Sequence, residues 1–179
     1  HSAICVRERI SHEYTTMPSH IIHPIPPVFD ADSRILILGS FPSVKSRESC
    51  FFYGHPQNRF WKLLARLRKE DVPSSIEEKK EFLLRNHIAV WDTIHSCSIE
   101  GSSDSSIRDV VPNDLASILD HASIQAIYTN GGLSGKMYDR FCRKQTGIDD
   151  QERVLWEARI EPADRCLEMY QPDPGETRI

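Results

Sequence analysis

The chain has 179 residues, 39% of them hydrophobic and 27% charged, with a formal net charge of −4. That balance suits one soluble globular domain and excludes a fibrous or low-complexity chain. No apolar run approaches the ~20 residues that a membrane span needs, and the opening HSAICVRERI lacks the apolar core of a secretory signal. Five scattered cysteines (Cys5, Cys50, Cys97, Cys142, Cys166) show no C-x-x-C spacing. Their odd number and spacing argue against a zinc cluster or a disulfide framework and make the cytoplasm the expected compartment.

The charge is unevenly spread. Between Gly39 and Glu70, seven basic residues face two acidic ones, a local balance of +5, whereas Asp149 to Ile179 carries nine acidic and four basic residues, a balance of −5. A basic segment of this kind is compatible with a polyanionic partner but serves equally as a solvated helix face.

In chain order, residues 1–16 precede the first organised stretch and are expected to lie outside the working domain, 17–148. HPIPPVF (His23–Phe29) is Pro-rich and reads as extended. RILILGS (Arg34–Ser40) is a short aliphatic run ending in Gly, the pattern of a parallel strand buried on both faces. PQNRFWKLLARLRKE places Phe60, Leu63, Leu64 and Leu67 at helical spacing, with Pro56 in the first turn. SSIEEKKEFLLRNH predicts a second helix capped by Ser74 or Ser75, with Glu77 or Glu78 reaching back. IAVWDTI (Ile88–Ile94) is a strand, SCSIEGSSDSSIRDVVPND a long loop, and PNDLASILDH a third helix with Asn113 as its cap. IQAIYTNGG (Ile124–Gly132) is a third strand and GKMYDRFCRKQ a fourth helix. This alternation predicts a three-layer α/β/α sandwich around a mostly parallel sheet. Beyond Gly147 the periodicity weakens, and a helix around Val154–Ile160 is all that the pattern suggests.

Ligands of open parallel sheets sit at the carboxyl ends of the strands, which selects GSFPS, WDTIHSC and TNGG. No G-x-G-x-x-G or G-x-x-x-x-G-K-[ST] is present, so dinucleotide and P-loop readings lack support. Of the residues near these ends, Phe51, Phe52 and Tyr53 suit either core packing or an aromatic platform. Asn58 suits a helix cap or a ligand, and Asp92, ending a buried strand, must be paired or face a ligand. Asn130 shapes a turn or borders a pocket. His55, before a proline, is a turn residue or a phosphate contact, and Ser40, Ser43, Lys45 and Arg47 have the chemistry of phosphate binding.

GSFPSVKSRESCFFYGHPQNRFWKLL resembles the uracil-DNA glycosylase superfamily. Its G-x-x-P, aromatic pair and HPxNRFW are similar to the mismatch-specific uracil-DNA glycosylases. Together with VWDTI, GSSDSSIRDVVPNDL and TNG, the segment from Ile22 to Gly147 resembles the hypoxanthine (deoxyinosine) DNA glycosylase branch.

The resemblance implies a glycosylase that flips a deaminated base from double- or single-stranded DNA into a pocket and hydrolyses its N-glycosidic bond in base-excision repair. Hypoxanthine is the first expected base, uracil and xanthine next. No metal or organic cofactor, no membrane and no second subunit are implied. Phe52, with Phe51 and Tyr53, would stack on the base, and Asp92 and Asn130 would read it. In the best-known relatives an Asp or Asn stands between the Gly and Pro of G-x-x-P. Phe41 is there in this chain, which moves the expected chemistry to Asn58. Ser40, Ser43, Lys45, Arg47 and His55 would meet the DNA backbone.

The family's second, proline-serine-rich motif, similar to LPSTSPA, is not found, and the acidic stretch 149–179 is expected to be divergent through a shifted frame or truncation. A catalytically impaired DNA- or nucleotide-binding relative and a small-molecule nucleoside hydrolase remain the alternatives.

Overall fold

The computed structural model describes residues 18–148. The expected N-terminal extension, the divergent tail and the helix at Val154–Ile160 lie outside these residues.

Strand β2 (Ile35–Gly39) is the centre of a parallel sheet, flanked by β3 (Ile88–Asp92) and β6 (Ala126–Thr129). Its register sets Ile35 opposite Ile88 and Ala126, and Gly39 opposite Asp92. With neighbours on both edges and helices on both faces, every β2 residue is buried, which is why the sequence shows an unbroken aliphatic run and no alternation. Ile35 and Ile37 point into one core with Leu64, Phe82 and Leu83. Leu36 and Leu38 point into the other with Leu115, Ile118 and Tyr138. Helices therefore cover both faces of the sheet.

A second sheet is antiparallel, in the order β1 (Ser19–Ile22), β4 (Ile94–Ile99), β5 (Arg108–Pro112). The expected single, mostly parallel sheet is thus, among the described residues, two three-stranded sheets, one parallel and one antiparallel. The segment expected as a long loop is most of a hairpin. Ile94, Cys97 and Ile99 face a third apolar cluster with Phe41, and register shifts between Ile94 and Ser98 break the strict alternation that announces a strand. At Thr93 the strand predicted to run to Ile94 leaves one sheet and enters the other. Thr93 N–H bonds Gly39 O at 2.8 Å and Ile94 N–H bonds Ser40 O at 3.1 Å. The Pro-rich segment is extended as expected and stitches the sheets together. His23 N–H bonds His95 O, and Val28 pairs with Val90 on the free edge of β3.

Helix α1 (Val44–Ser49) was not legible in the sequence; Ser43 caps it, accepting from Ser46 N–H. Helix α2 (Phe60–Arg68) begins later than expected. Pro56 lies in a turn closed by Asn58 N–H to His55 O, and Asn58 Oδ1 accepts from Phe60 N–H at 2.9 Å, so the helix starts only there. Helix α3 (Ile76–Arg85) resolves the capping choice: Ser75 accepts from Glu78 N–H, and Glu78 Oε2 accepts from Ser74 N–H. Ser75→Ala is expected to cost about 1 kcal/mol of unfolding free energy, read as a lower urea midpoint at unchanged slope.

Helix α4 (Ala116–Leu119) is short, and Asn113 does not cap it; Asp114 Oδ1 accepts from Ala116 N–H instead. Asn113, 2% exposed, donates to both Asp92 O and Ile94 O and so fixes the switch between sheets. Helix α5 (Gly132–Met137) runs through a π-turn at Tyr138–Cys142 into α6 (Arg143–Thr146). No helix of the described residues is long and apolar enough to cross a membrane.

Candidate active site

The carboxyl ends of β2, β3 and β6 open onto one cleft of about 200 Å³. Gly39 to Ser43, Phe52, Tyr53, Asn58, Asp92 and Asn130 line it. Sequence-predicted residues from four separate segments thus meet. Asp104, ahead of β5, also reaches the cleft, carried there by the β4–β5 hairpin tip. That tip is tied down by Val44 N–H to Ser102 Oγ at 2.9 Å and Arg47 Nη2 to Gly101 O at 3.1 Å.

Gly39 permits the closest approach in the site. A Cβ there would overlap Asp92 Oδ1 and stand 3.3 Å from the Tyr53 hydroxyl, so a carboxylate oxygen and a phenol lie side by side over the bare backbone. Asp92, 4% exposed, is held by His23, whose Nε2 lies 2.6 Å from Oδ2. Tyr53 has a positive φ of 51°, its ring stacks on Phe60 with centroids 3.8 Å apart, and its hydroxyl accepts from Asn130 Nδ2 at 2.9 Å.

Burial first, and the Asp92 charge second, push the Tyr53 phenol above its ordinary value, and the Asn130 bond only partly offsets them. The folded state holds this proton more tightly than the unfolded chain. The resulting stability is therefore complete below about pH 10, the value of a free tyrosine, and is lost as pH rises further. An alkaline absorbance titration is expected to show a late tyrosine step that Tyr53→Phe diminishes by one residue.

Asn58 is exposed at the cleft wall. One lone pair of its Oδ1 takes Phe60 N–H. The second lone pair and the Nδ2 protons remain available to a ligand. Phe52 borders the cleft although it is 2% exposed, and its carbonyl is pinned by Trp61 Nε1 at 3.3 Å.

Phe51 is not brought to the cleft. It packs in the core, stacked on Trp61 at 6.0 Å with Lys80 over its ring. Ser40 and Ser43 line the cleft, whereas the basic residues do not. Lys45 pairs with Glu48 on the exposed face of α1, and Arg47 donates to Pro42 O and Gly101 O. His55 is exposed outside the cleft, its Nδ1 accepting from Gln57 N–H at 3.1 Å. His23, Ser46 and Asp104 escaped the sequence reading. The Asp92 partner lies 69 residues away and leaves no local pattern. Among the described residues no three His, Cys, Asp or Glu side chains cluster as metal ligands.

The family model of the uracil DNA glycosylase superfamily matches residues 26–175, and the chain belongs to this superfamily. It is 38% identical over 113 residues to the hypoxanthine DNA glycosylase of Methanosarcina barkeri, covering 62% of this chain and 72% of that one. It is 37% identical over 132 residues to the hypoxanthine DNA glycosylase of Methanosarcina acetivorans, covering 73% and 81%. The solution NMR structure of a candidate uracil DNA glycosylase from Methanosarcina acetivorans superposes with a TM-score of 0.65 at 31% identity, covering 83% of this chain and 94% of that one.

Proposed function

We propose that this chain excises deaminated bases from DNA by hydrolysing their N-glycosidic bonds, with hypoxanthine as its principal substrate, as a monomer and without a cofactor. The observation that carries this reading is the meeting of Asn58, Asp92, Phe52 and Asn130 in one cleft at the strand ends.

The extruded base enters against Phe52, where stacking contributes ~1–3 kcal/mol. Asp92 Oδ1 accepts from the ring N–H that deamination creates, and Asn130 lies at the opposite edge. The C1′–N9 bond breaks with its electron pair leaving on the base. A water oxygen then adds to the oxocarbenium-like C1′ and releases a proton to solvent. Asn58 Oδ1 holds that water with its second lone pair, and its dipole stabilises the positive charge developing on the sugar. Phe41, standing where an Asp or Asn would otherwise act, contributes only an apolar wall. Ser40 and Ser43 meet the flanking phosphates. Lys45, whose exposed pair with Glu48 contributes little, swings to the backbone, while Arg47 shapes the hairpin tip and His55 lies beside the incoming strand.

End-labelled single and double strands carrying deoxyinosine, deoxyuridine or deoxyxanthosine, treated with alkali after incubation, test the proposal. Strand cleavage fastest at deoxyinosine is expected. Cleavage of free inosine with inert DNA would replace the reading by a nucleoside hydrolase, and DNA binding without cleavage by an impaired relative.

A further inference from the structure

The His23–Asp92 pair does more than give a buried carboxylate a hydrogen-bond partner. Ile25 N–H donates to His23 Nδ1 at 3.2 Å. A backbone N–H can only donate, so Nδ1 carries no proton and the neutral ring must bear its proton on Nε2. That proton points at Asp92 Oδ2, 2.6 Å away. The tautomer is thus dictated by the backbone. The ring is fixed in turn: it lies edge-on to Phe41 at 5.8 Å and Trp91 at 6.4 Å, and 6.3 Å from Phe52. The Trp91 indole anchors the same segment by donating to Ile25 O at 3.3 Å. Both side chains are almost fully buried, at 2% and 6% exposure.

We infer that His23 is a positioning residue that locks Asp92 as a pure hydrogen-bond acceptor, with Oδ1 left to the cleft, and that this lock separates deaminated bases from adenine and cytosine. The inference rests on the reading of the cleft as a base pocket.

The chemistry follows from what deamination does to a ring. Adenine N1 and cytosine N3 carry lone pairs; hypoxanthine N1 and uracil N3 carry protons. An acceptor-only oxygen pairs with the second kind and repels the first. A protonated carboxyl group would be indifferent, because it could donate to adenine N1 as readily as it accepts from hypoxanthine. The Nε2 N–H takes Oδ2 as its acceptor and leaves Oδ1, the oxygen beside Gly39, to accept in the cleft. Guanine, which already has an N–H at N1, is not excluded by this contact.

Two variants and one spectroscopic signature test the inference. His23→Leu removes the donor; His23→Gln returns an N–H near the Nε2 position. The expected result for His23→Leu is a folded protein whose deoxyinosine excision falls about tenfold to a hundredfold, as for loss of one charge-assisted hydrogen bond. The rate ratio of hypoxanthine over adenine excision should fall with it, and His23→Gln should recover most of both. In the wild-type protein, 15N NMR should show His23 protonated at Nε2 only, with a resonance that shifts when free hypoxanthine is added and stays still with free adenine.

An Nδ1-protonated ring, or a folded His23→Leu protein with unchanged rate and ratio, would overturn the inference. So would equal losses in the Leu and Gln variants. A wild-type protein that excises no base at all would remove the reading of the cleft, yet the NMR titration would still decide whether His23 sets the preference of Asp92.

Discussion

Asn58→Ala is expected to lower single-turnover hypoxanthine excision by roughly 10²–10³-fold, the usual consequence of removing one preorganised polar group from a charge-developing site. Asn58 also receives Phe60 N–H, so the variant loses a capping contact, at a cost of about 1 kcal/mol. In a domain stable by ~5–15 kcal/mol that loss leaves the folded fraction almost unchanged and cannot produce a rate effect of this size. Asn58→Asp separates the roles further, because it keeps an oxygen for Phe60 N–H and for water but loses the amide donor. Circular dichroism melts beside single-turnover rates make the comparison. If the Ala variant loses only about 2–4 °C of Tm and none of its rate, Asn58 is a cap and no more.

Gly39→Ala is the second large effect. The added methyl would overlap Asp92 Oδ1 and crowd the Tyr53 hydroxyl. Asp92 cannot withdraw without giving up its bond to His23, and it is only 4% exposed. Overpacking of this kind typically costs ~1–3 kcal/mol of stability. The displaced carboxylate would no longer meet the base, and a shift of about 1 Å at a reacting centre lowers rates about a hundredfold. Excision is therefore expected to fall about that far in a protein that still melts cooperatively. A variant excising hypoxanthine at the wild-type rate would show that the Gly39–Asp92 contact has no part in catalysis.

How much of this was legible in the sequence differs from element to element. The aliphatic run of β2 announces itself because both faces are buried, and α3 does so through Ser75, Glu78 and the spacing of Phe82 and Leu83. The strand-end rule points to Gly39, Asp92 and Asn130, which the cleft brings together. The β4–β5 hairpin stays hidden because it is built from Ser, Cys and Asp with irregular register, so small polar residues read as loop. Helix α1 is six residues long, too short for periodicity to register. Phe51 and Phe52 are adjacent in a bend and both pack in one core, and nothing local says which of them also borders the cleft. Asn113 looked like a cap because it precedes a helix; its bonds to Asp92 O and Ile94 O depend on a change of sheets that a linear pattern does not encode. His23 is the largest omission. An X-Pro dipeptide reads as backbone punctuation, and only the fold carries it to the end of β3.

Excision of a base is defined by its product. Incubating the purified chain with a deoxyinosine duplex, and separating released bases by chromatography with mass detection, gives the decisive measurement. Free hypoxanthine in equal amount to the alkali-labile abasic sites is expected. A strand that alkali leaves intact, or release of the whole deoxyinosine nucleoside in place of the free base, would contradict the account.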